Sequence, residues 1–269
     1  MTYLEICRRL CSSGIEDYQT EARILIEEIC SQTVRDDVDY ESEELLSAVE
    51  RRCQRYPLQY IIGKWWFGRC EFLVNENCLA PRPDTETVVD IARRLLPENA
   101  SFADLCTGSG CIAISLLDLR PDTCADAIEL YPKTLEIASK NAELNGVASR
   151  FCGIVADVLK PDALKDAVYD AIISNPPYIR SDVIPTLEAE VLCEPRAALD
   201  GGEDGLVFYR AILDNFAKNL KDGGFFLFEI GYDQGKALLT LAGERGLLCE
   251  VHKDLGGCDR AVILRKISK

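Results

Sequence analysis

Histidine is almost missing from this chain: His252 is the only one in 269 residues. Chemistry that needs two imidazoles, such as a histidine-rich zinc site, is thereby excluded, and a Ser-His-Asp triad has a single candidate base. Basic charge is also scarce, with 30 Lys and Arg against 45 Asp and Glu and a formal net charge of −15. A broad surface that grips nucleic-acid phosphates needs clustered cations, so stable nucleic-acid binding is not expected. The 13 cysteines include no CxxC pair, and their odd number weighs against a complete set of intramolecular disulfides. They read as small apolar residues of a reduced, cytoplasmic protein. No apolar run approaches membrane-spanning length, and the first residues, MTYLEICRRLCSSG, lack the apolar core of a signal peptide, so no membrane partner is expected. There is no Gly/Ser- or Pro-rich linker, no internal repeat and no low-complexity tract.

What is present divides into two patterns. An apolar content of 48% suffices for a real core, and the length suits one large or two modest domains. Tyr18, Ala22, Leu25, Ile26 and Ile29 fall at helical spacing. The Ser12-Ser13-Gly14 stretch ends an earlier short helix, and Pro57 is expected to end a third that carries Leu45, Leu46 and Val49. Residues 1–60 are therefore expected to form a helical bundle. Residues 61–80, which include the aromatic run WWFGRCEFLV (65–74), are expected to form a connecting hairpin. From about residue 100, strand and helix alternate. The strands are SFADLC (101–106), ADAIEL (125–130), FCGIVAD (151–157), YDAIISN (169–175) and GFFLFEI (224–230), and Pro132 opens a helix that closes at Asn145-Gly146. LLCEVHKDL and RAVILRK, joined by GGCD, make an antiparallel hairpin at one sheet edge. Residues 81–269 are thus expected to be an α/β, Rossmann-like domain with a mostly parallel seven-stranded sheet.

An open parallel sheet binds ligands at the carboxyl ends of its strands, and three unusual segments fall there. In DLCTGSGC (104–111) two glycines let the backbone approach a ligand, and the helix that follows offers free amide donors. Glu129, at the end of the next strand, is spaced to take both hydroxyls of a ribose. Together they describe a nucleoside-type cofactor site, although Gly108-x-Gly110-x-x-Ala113 also satisfies a dinucleotide fingerprint and a plain tight turn has the same look. The third segment, Asn175-Pro176-Pro177-Tyr178, is decisive. Proline keeps Asn175 out of the helical region and removes two amide hydrogens, so the loop presents rigid carbonyl acceptors beside the Asn175 amide. It suits a planar –NH2 that has to be oriented rather than deprotonated beforehand, with Tyr178 as a flat apolar wall.

DLCTGSGC, Glu129 and NPPY together resemble the class I S-adenosylmethionine-dependent methyltransferases that act on exocyclic or amide nitrogens. APRPDTE (80–86), EPRAAL (194–199), DGGEDGL (200–206) and DLGGCDR (254–260) narrow the resemblance to the HemK/PrmC-type protein-glutamine methyltransferases, over nearly the whole chain. These enzymes modify the glutamine of the Gly-Gly-Gln loop in bacterial peptide chain release factors. The resemblance implies that Cys106, Thr107, Gly108, Ser109 and Gly110 line the methionine part of S-adenosyl-L-methionine, whose product is S-adenosyl-L-homocysteine. Glu129 would bind the ribose, and Asp157 and Val158 would border the adenine. Asn175 would meet both cofactor and substrate amide, with Pro176, Pro177 and Tyr178 completing the catalytic slot. Three residues depart from the family pattern: Cys106 where glycine is common, Glu129 where Asp is more frequent, and Val158 in place of an aromatic residue found in some members.

The remaining features keep two readings each. Arg51, Arg52, Arg55, Lys64 and Arg69 lie in an acid-free run, 51–69, that serves either as a docking surface for the release factor or nearby RNA, or as a solvated face. Arg82 stands at the active-site rim or in a structural salt bridge. Trp65 and Trp66 pack between domains or touch substrate. Glu194 and Arg196 are expected to order a loop over the site, and His252 to lie on the surface. Rival functions are a nucleic-acid amino-methyltransferase, which shares NPPY, a nicotinamide-dependent oxidoreductase, which leaves NPPY unexplained, and a non-catalytic binding protein. The nearest rival is a glutamine methyltransferase of a ribosomal protein.

Overall fold

The computed structural model describes residues 1–36 and 38–266. The first helix, α1 (Tyr3–Ser12), begins at a capping box: the Thr2 hydroxyl accepts from the Glu5 amide, and the Glu5 carboxylate accepts from the Thr2 amide. Next come α2 (Tyr18–Cys30) and α3 (Glu43–Cys53), the latter capped by Ser42 on the Leu45 amide. Ile6, Leu10, Leu25, Ile26, Leu45 and Val49 meet in a core of their own. The third helix stops at Cys53, before Pro57. That proline instead opens a five-residue helix, α4 (Leu58–Ile62), because a helix start does not need the amide hydrogen that proline lacks. The helical part thus runs two residues beyond the expected boundary at 60.

β1 (Lys64–Phe67) and β2 (Cys70–Leu73) form the expected hairpin, with Trp65 opposite Phe72. Trp65 packs against both the bundle core and the core of the following domain, as interdomain packing requires, whereas Trp66 on the opposite face is 60% exposed. A tight turn at Pro83–Thr85 leads into α5 (Glu86–Leu95). The alternating part comprises β3 (Ser101–Leu105), α6 (Cys111–Leu119), β4 (Cys124–Glu129), α7 (Pro132–Leu144), β5 (Phe151–Val155) and β6 (Tyr169–Ser174). It continues with α8 (Ala189–Leu192), α9 (Val207–Phe216), β7 (Leu220–Glu229), α10 (Gly235–Glu244), β8 (Leu247–Lys253) and β9 (Asp259–Lys266).

The seven strands lie in the order β5-β4-β3-β6-β7-β9-β8, parallel except where β9 pairs with β7 and β8. Val88, Leu117 and Ile137 of α5, α6 and α7 cover one face, and Tyr209, Phe216 and Leu238 of α9 and α10 cover the other. Burial on both faces explains the unbroken apolar runs of the central strands. The chain winds outward from β3 through β4 to β5 and then returns to the other side of β3 as β6. That reversal opens a crevice at the carboxyl ends of β3, β4 and β6.

Candidate active site

The loop after β3 is shaped by left-handed backbone at alternate positions, with φ of 59° at Cys106, 57° at Gly108 and 83° at Gly110. Gly110 has a packing reason as well, since a Cβ there would lie 2.7 Å from Ile114 Cδ1. The Thr107 amide reaches the Ile128 carbonyl of β4 at 3.0 Å, and its hydroxyl donates to Asp104 Oδ2 at 2.6 Å. Asn141 of α7 pins the loop from behind. Its Nδ2 donates to the Ser109 carbonyl at 2.9 Å, and its Oδ1 accepts from the Leu73 amide at 2.7 Å. The connecting hairpin is thereby tied to the cofactor loop through one buried side chain.

Glu129 is aimed by two backbone donors: Gly108 N reaches Oε2 and Tyr131 N reaches Oε1, both at 3.1 Å. Each oxygen keeps a second lone pair for a ligand. Burial raises its pKa, and the two amides oppose that rise. Asp104, at the heart of the loop, is pushed up to about 7 by burial, against the bonds from Thr107 and the Ala113 amide. Its Oδ1 has no hydrogen-bond partner among the described residues. Burial, with Glu129 and Asp104 close by, pushes the Cys106 thiol well up, so it is held neutral. A thiolate there would be a competing nucleophile.

Across the crevice, Ser174 ends β6 with its hydroxyl on the Leu105 carbonyl at 2.5 Å, locking the two site strands together. Asn175 follows, and its Nδ2 donates to Thr85 Oγ1 at 3.3 Å. Neither Asn175 Oδ1 nor the Pro176 carbonyl accepts a hydrogen bond among the described residues. The motif DGGEDGL backs this turn. A Cβ on Gly201 would sit 2.8 Å from the Pro177 carbonyl oxygen, and one on Gly205 would sit 2.4 Å from the Tyr178 carbonyl oxygen. Gln234 Nε2 then donates to the Tyr178 carbonyl at 3.1 Å. Close glycine packing and a buried amide therefore hold the NPPY backbone.

One cleft is lined by Arg82, Cys106, Thr107, Gly108, Ser109, Glu129, Asp157, Val158, Asn175 and Pro177. Gly110, Pro176 and Tyr178 stand outside that lining. Gly110 is the cap of α6, and Pro176 is buried beneath the turn. Tyr178 packs against the core under α9 with its hydroxyl 3.4 Å from Glu229 Oε1, so it braces the loop rather than walling the cleft. Burial pushes Glu229 up to about 7. Thr85, Tyr131 and Phe208 line the cleft without having been singled out in the sequence. Thr85 lies within APRPDTE, so its motif was visible although its role was not. Tyr131 and Phe208 bring rings to a cleft in which Val158 lacks one.

Arg82 fulfils both of its readings. It lines the cleft, and its Nη2 meets Glu194 Oε2 at 2.5 Å, while Glu194 Oε1 accepts from the Ala80 amide at 3.3 Å. Arg196 pairs with Asp200 at 3.0 Å, and His252 Nε2 lies 3.0 Å from Glu250 Oε1. The basic run is not an open cationic patch. Arg52 lies between Glu21 at 2.5 Å and Glu190 at 2.8 Å, Arg55 shares Glu190 at 2.5 Å, and Lys64 bridges Glu28 at 3.0 Å and Glu71 at 3.2 Å. Arg69 pairs with Asp118, and Arg51 stacks over the Tyr56 ring at 4.3 Å. Apart from Glu71, the acids are far away in sequence, which hid them. Through Glu190 the run fastens the bundle to α8, in the segment that arches back to the cleft.

Among the described residues no helix is long and apolar enough to cross a membrane. Comparison with known proteins agrees with this architecture. A family model described as PrmC N-terminal domain matches residues 3–63, and one described as Methyltransferase small domain matches residues 85–218. A release factor glutamine methyltransferase of Moorella thermoacetica is 40% identical over 96% of this chain and 95% of its own. The enzyme of the same name from Caulobacter vibrioides is 38% identical over 95% of this chain and 92% of its own. In fold alone, the solved ribosomal protein L11 methylase of Lactobacillus delbrueckii subsp. bulgaricus matches with a TM-score of 0.50 at 17% identity, over 69% of this chain and 80% of that one. The chain belongs to the release factor glutamine methyltransferase family.

Proposed function

We propose that this enzyme transfers the methyl group of S-adenosyl-L-methionine to the side-chain amide nitrogen of the glutamine in the Gly-Gly-Gln loop of peptide chain release factors. The observation that carries the reading is the open acceptor Asn175 Oδ1, on a residue that lines a cleft built on a glycine loop, with the Pro176 carbonyl likewise unpaired in the same turn. The cofactor fits the donor set. Glu129 and Asp157 line the cleft with carboxylates, which favour a sulfonium and an ammonium. A pyrophosphate fits poorly, because Asp104 Oδ2 already takes the Ala113 amide in the first turn of α6. That disfavours a nicotinamide cofactor.

When bound, S-adenosyl-L-methionine supplies an electrophilic methyl and leaves as S-adenosyl-L-homocysteine. Cys106, Thr107, Gly108 and Ser109 border its methionine part, with Gly110 shaping their loop. Glu129 holds the ribose, and Asp157 and Val158 flank the adenine. A glutamine amide nitrogen is a weak nucleophile because its lone pair is delocalised into the carbonyl. Bonds from its two hydrogens to Asn175 Oδ1 and the Pro176 carbonyl fix its approach and stabilise the positive charge that develops on nitrogen. The methylated nitrogen then becomes acidic and releases its proton to water, so no histidine base is required. Pro177 walls the slot, Tyr178 braces it, and Arg82 stands at its rim.

The bundle, residues 1–60, serves as the docking part, the hairpin 61–80 joins it to the transferase part, 81–269, and the protein acts in the cytoplasm, where its substrate works. The test is transfer of labelled methyl to a release factor and to its variant with the loop glutamine replaced by alanine, followed by mass mapping. Label on that glutamine alone is the expected result. Label on the alanine variant, on a ribosomal protein instead, or on DNA would overturn the reading.

A further inference from the structure

The segment between the NPPY turn and α9 walls one side of the cleft with Pro195, Ala197 and Ala198. One end of that wall is fixed beside the turn itself. The Ile179 amide donates to the Leu199 carbonyl at 2.9 Å, and the Gly201 amide donates to the Ile179 carbonyl at 2.8 Å. The other end, α8, buries none of its four residues, so apolar packing does little to place it. A second cavity, lined by Leu58, Trp65, Arg82, Glu188 and Val191, opens between α8 and the bundle, and Arg82 borders both cavities.

What holds α8 is charge. Glu190 Oε1 accepts from Arg52 Nη1 at 2.8 Å and from Arg55 Nε at 2.5 Å. Each guanidinium is itself aimed by the bundle. Arg52 is buried and forms a two-bond fork with Glu21 of α2, at 2.5 and 3.0 Å. Arg55 reaches the Gly14 carbonyl between α1 and α2 at 2.9 Å, from left-handed backbone with a φ of 65°, a conformation unfavourable to a residue that carries a Cβ. α2, α3 and the turn after α1 therefore converge on one carboxylate oxygen. Four residues later Glu194 makes a second hold, on the Ala80 amide and Arg82, and the cleft wall begins at Pro195. Removing the Glu190 carboxylate would leave two neighbouring guanidiniums with one acid fewer and release α8 from the bundle.

We propose that Glu190 is a positioning residue through which the helical bundle sets the substrate side of the cleft, so that the bundle is part of the active-site architecture as well as a docking part. The proposal rests on the reading that the release-factor glutamine enters this cleft. Glu190 does not line the cleft; it acts through the wall that follows Glu194. The cofactor side is built by other elements, the loop after β3 and Glu129, and keeps its place.

The experiment measures kcat and KM for a release factor, together with S-adenosyl-L-methionine affinity by calorimetry. The variants are Glu190→Ala, Arg55→Met and the Glu190→Ala/Arg55→Met double variant. Glu190→Ala should raise KM for the release factor about tenfold, a change of about 1.4 kcal/mol. Its kcat and cofactor affinity should stay within about threefold of the parent. Arg55→Met, which removes one of the two guanidiniums, should raise KM by a smaller factor. The double variant should have the KM of Glu190→Ala, because both changes act through one contact. A merely destabilised fold would lower kcat and the stoichiometry of cofactor binding together at constant KM, and that result would overturn the proposal. Parent-like KM in Glu190→Ala, or KM increases that multiply in the double variant, would overturn it as well. If Glu190→Ala does not fold, unchanged KM in Arg55→Met overturns it alone. Failure of the unsubstituted enzyme to methylate a release factor would instead sink the functional reading beneath it.

Discussion

The two loops that face each other across the crevice reach rigidity by opposite means. The loop after β3 uses left-handed backbone at Cys106, Gly108 and Gly110, and the loop after β6 uses two prolines, with no positive φ between Asn175 and Tyr178. The first sets a backbone amide against the Glu129 carboxylate, which lines the cleft and suits a cationic, hydroxyl-bearing cofactor. The second has surrendered two amide hydrogens and offers acceptors, which suit an –NH2. Methyl transfer needs both in fixed relation, and Ser174 on the Leu105 carbonyl fastens one strand end to the other. Donor side and acceptor side are therefore separable in chemistry but joined in structure.

The largest effect expected from separating them is on the acceptor side. Gly205→Val would drive a Cβ against the Tyr178 carbonyl, 2.4 Å away, at a φ of 72°. Overpacking and left-handed strain together should cost about 3 kcal/mol or more of stability, read by urea unfolding. A variant as stable as the parent would show that glycine packing does not hold the turn. On the donor side, Glu129→Ala should weaken S-adenosyl-L-methionine binding by about 2 kcal/mol through loss of charged hydrogen bonds, measured by calorimetry. Unchanged affinity would remove Glu129 from the cofactor site.

The donor side should also respond to pH. Asp104 is raised from 3.8 to about 7 in the folded chain, chiefly by burial. A raised folded value means that the fold takes up a proton the unfolded chain does not hold between those two values. The corresponding stability is present below about pH 4 and is lost as pH rises through about 7. Asp104→Asn should flatten the fall in melting temperature of the cofactor-free protein between pH 5 and 8, and an unchanged slope would contradict the assignment. The smallest effect belongs to Cys106→Gly. Relief of left-handed strain and loss of buried sulfur offset each other, so stability should change by no more than about 1 kcal/mol. A larger loss would give the thiol a role beyond filling space.

Much of this site was legible because its parts are local. The strand–glycine–helix pattern, Glu129 one strand later and NPPY each announce their backbone in a few consecutive residues. The sheet was equally open to reading, since burial on both faces leaves unbroken apolar runs. What escaped is pairwise and distant. Asn141 ties Leu73 to Ser109, Glu190 collects Arg52 and Arg55 across 138 and 135 positions, and Asn175 meets Thr85 across 90. An acid-free stretch such as 51–69 looks like a free basic surface until its partners are brought in from elsewhere. Tyr178 misled in the same way, because a motif fixes the neighbours of a side chain but not the direction in which it packs.

The separation of donor and acceptor sides is tested most directly on Asn175→Ala, by measuring cofactor affinity and single-turnover methyl transfer to a release factor on the same preparation. Affinity within about threefold of the parent, with transfer slowed by about 100-fold or more, is the predicted result, since loss of one preorganised partner costs about 2.7–4 kcal/mol of barrier. Full-rate transfer, or loss of cofactor binding in step with loss of transfer, would contradict it.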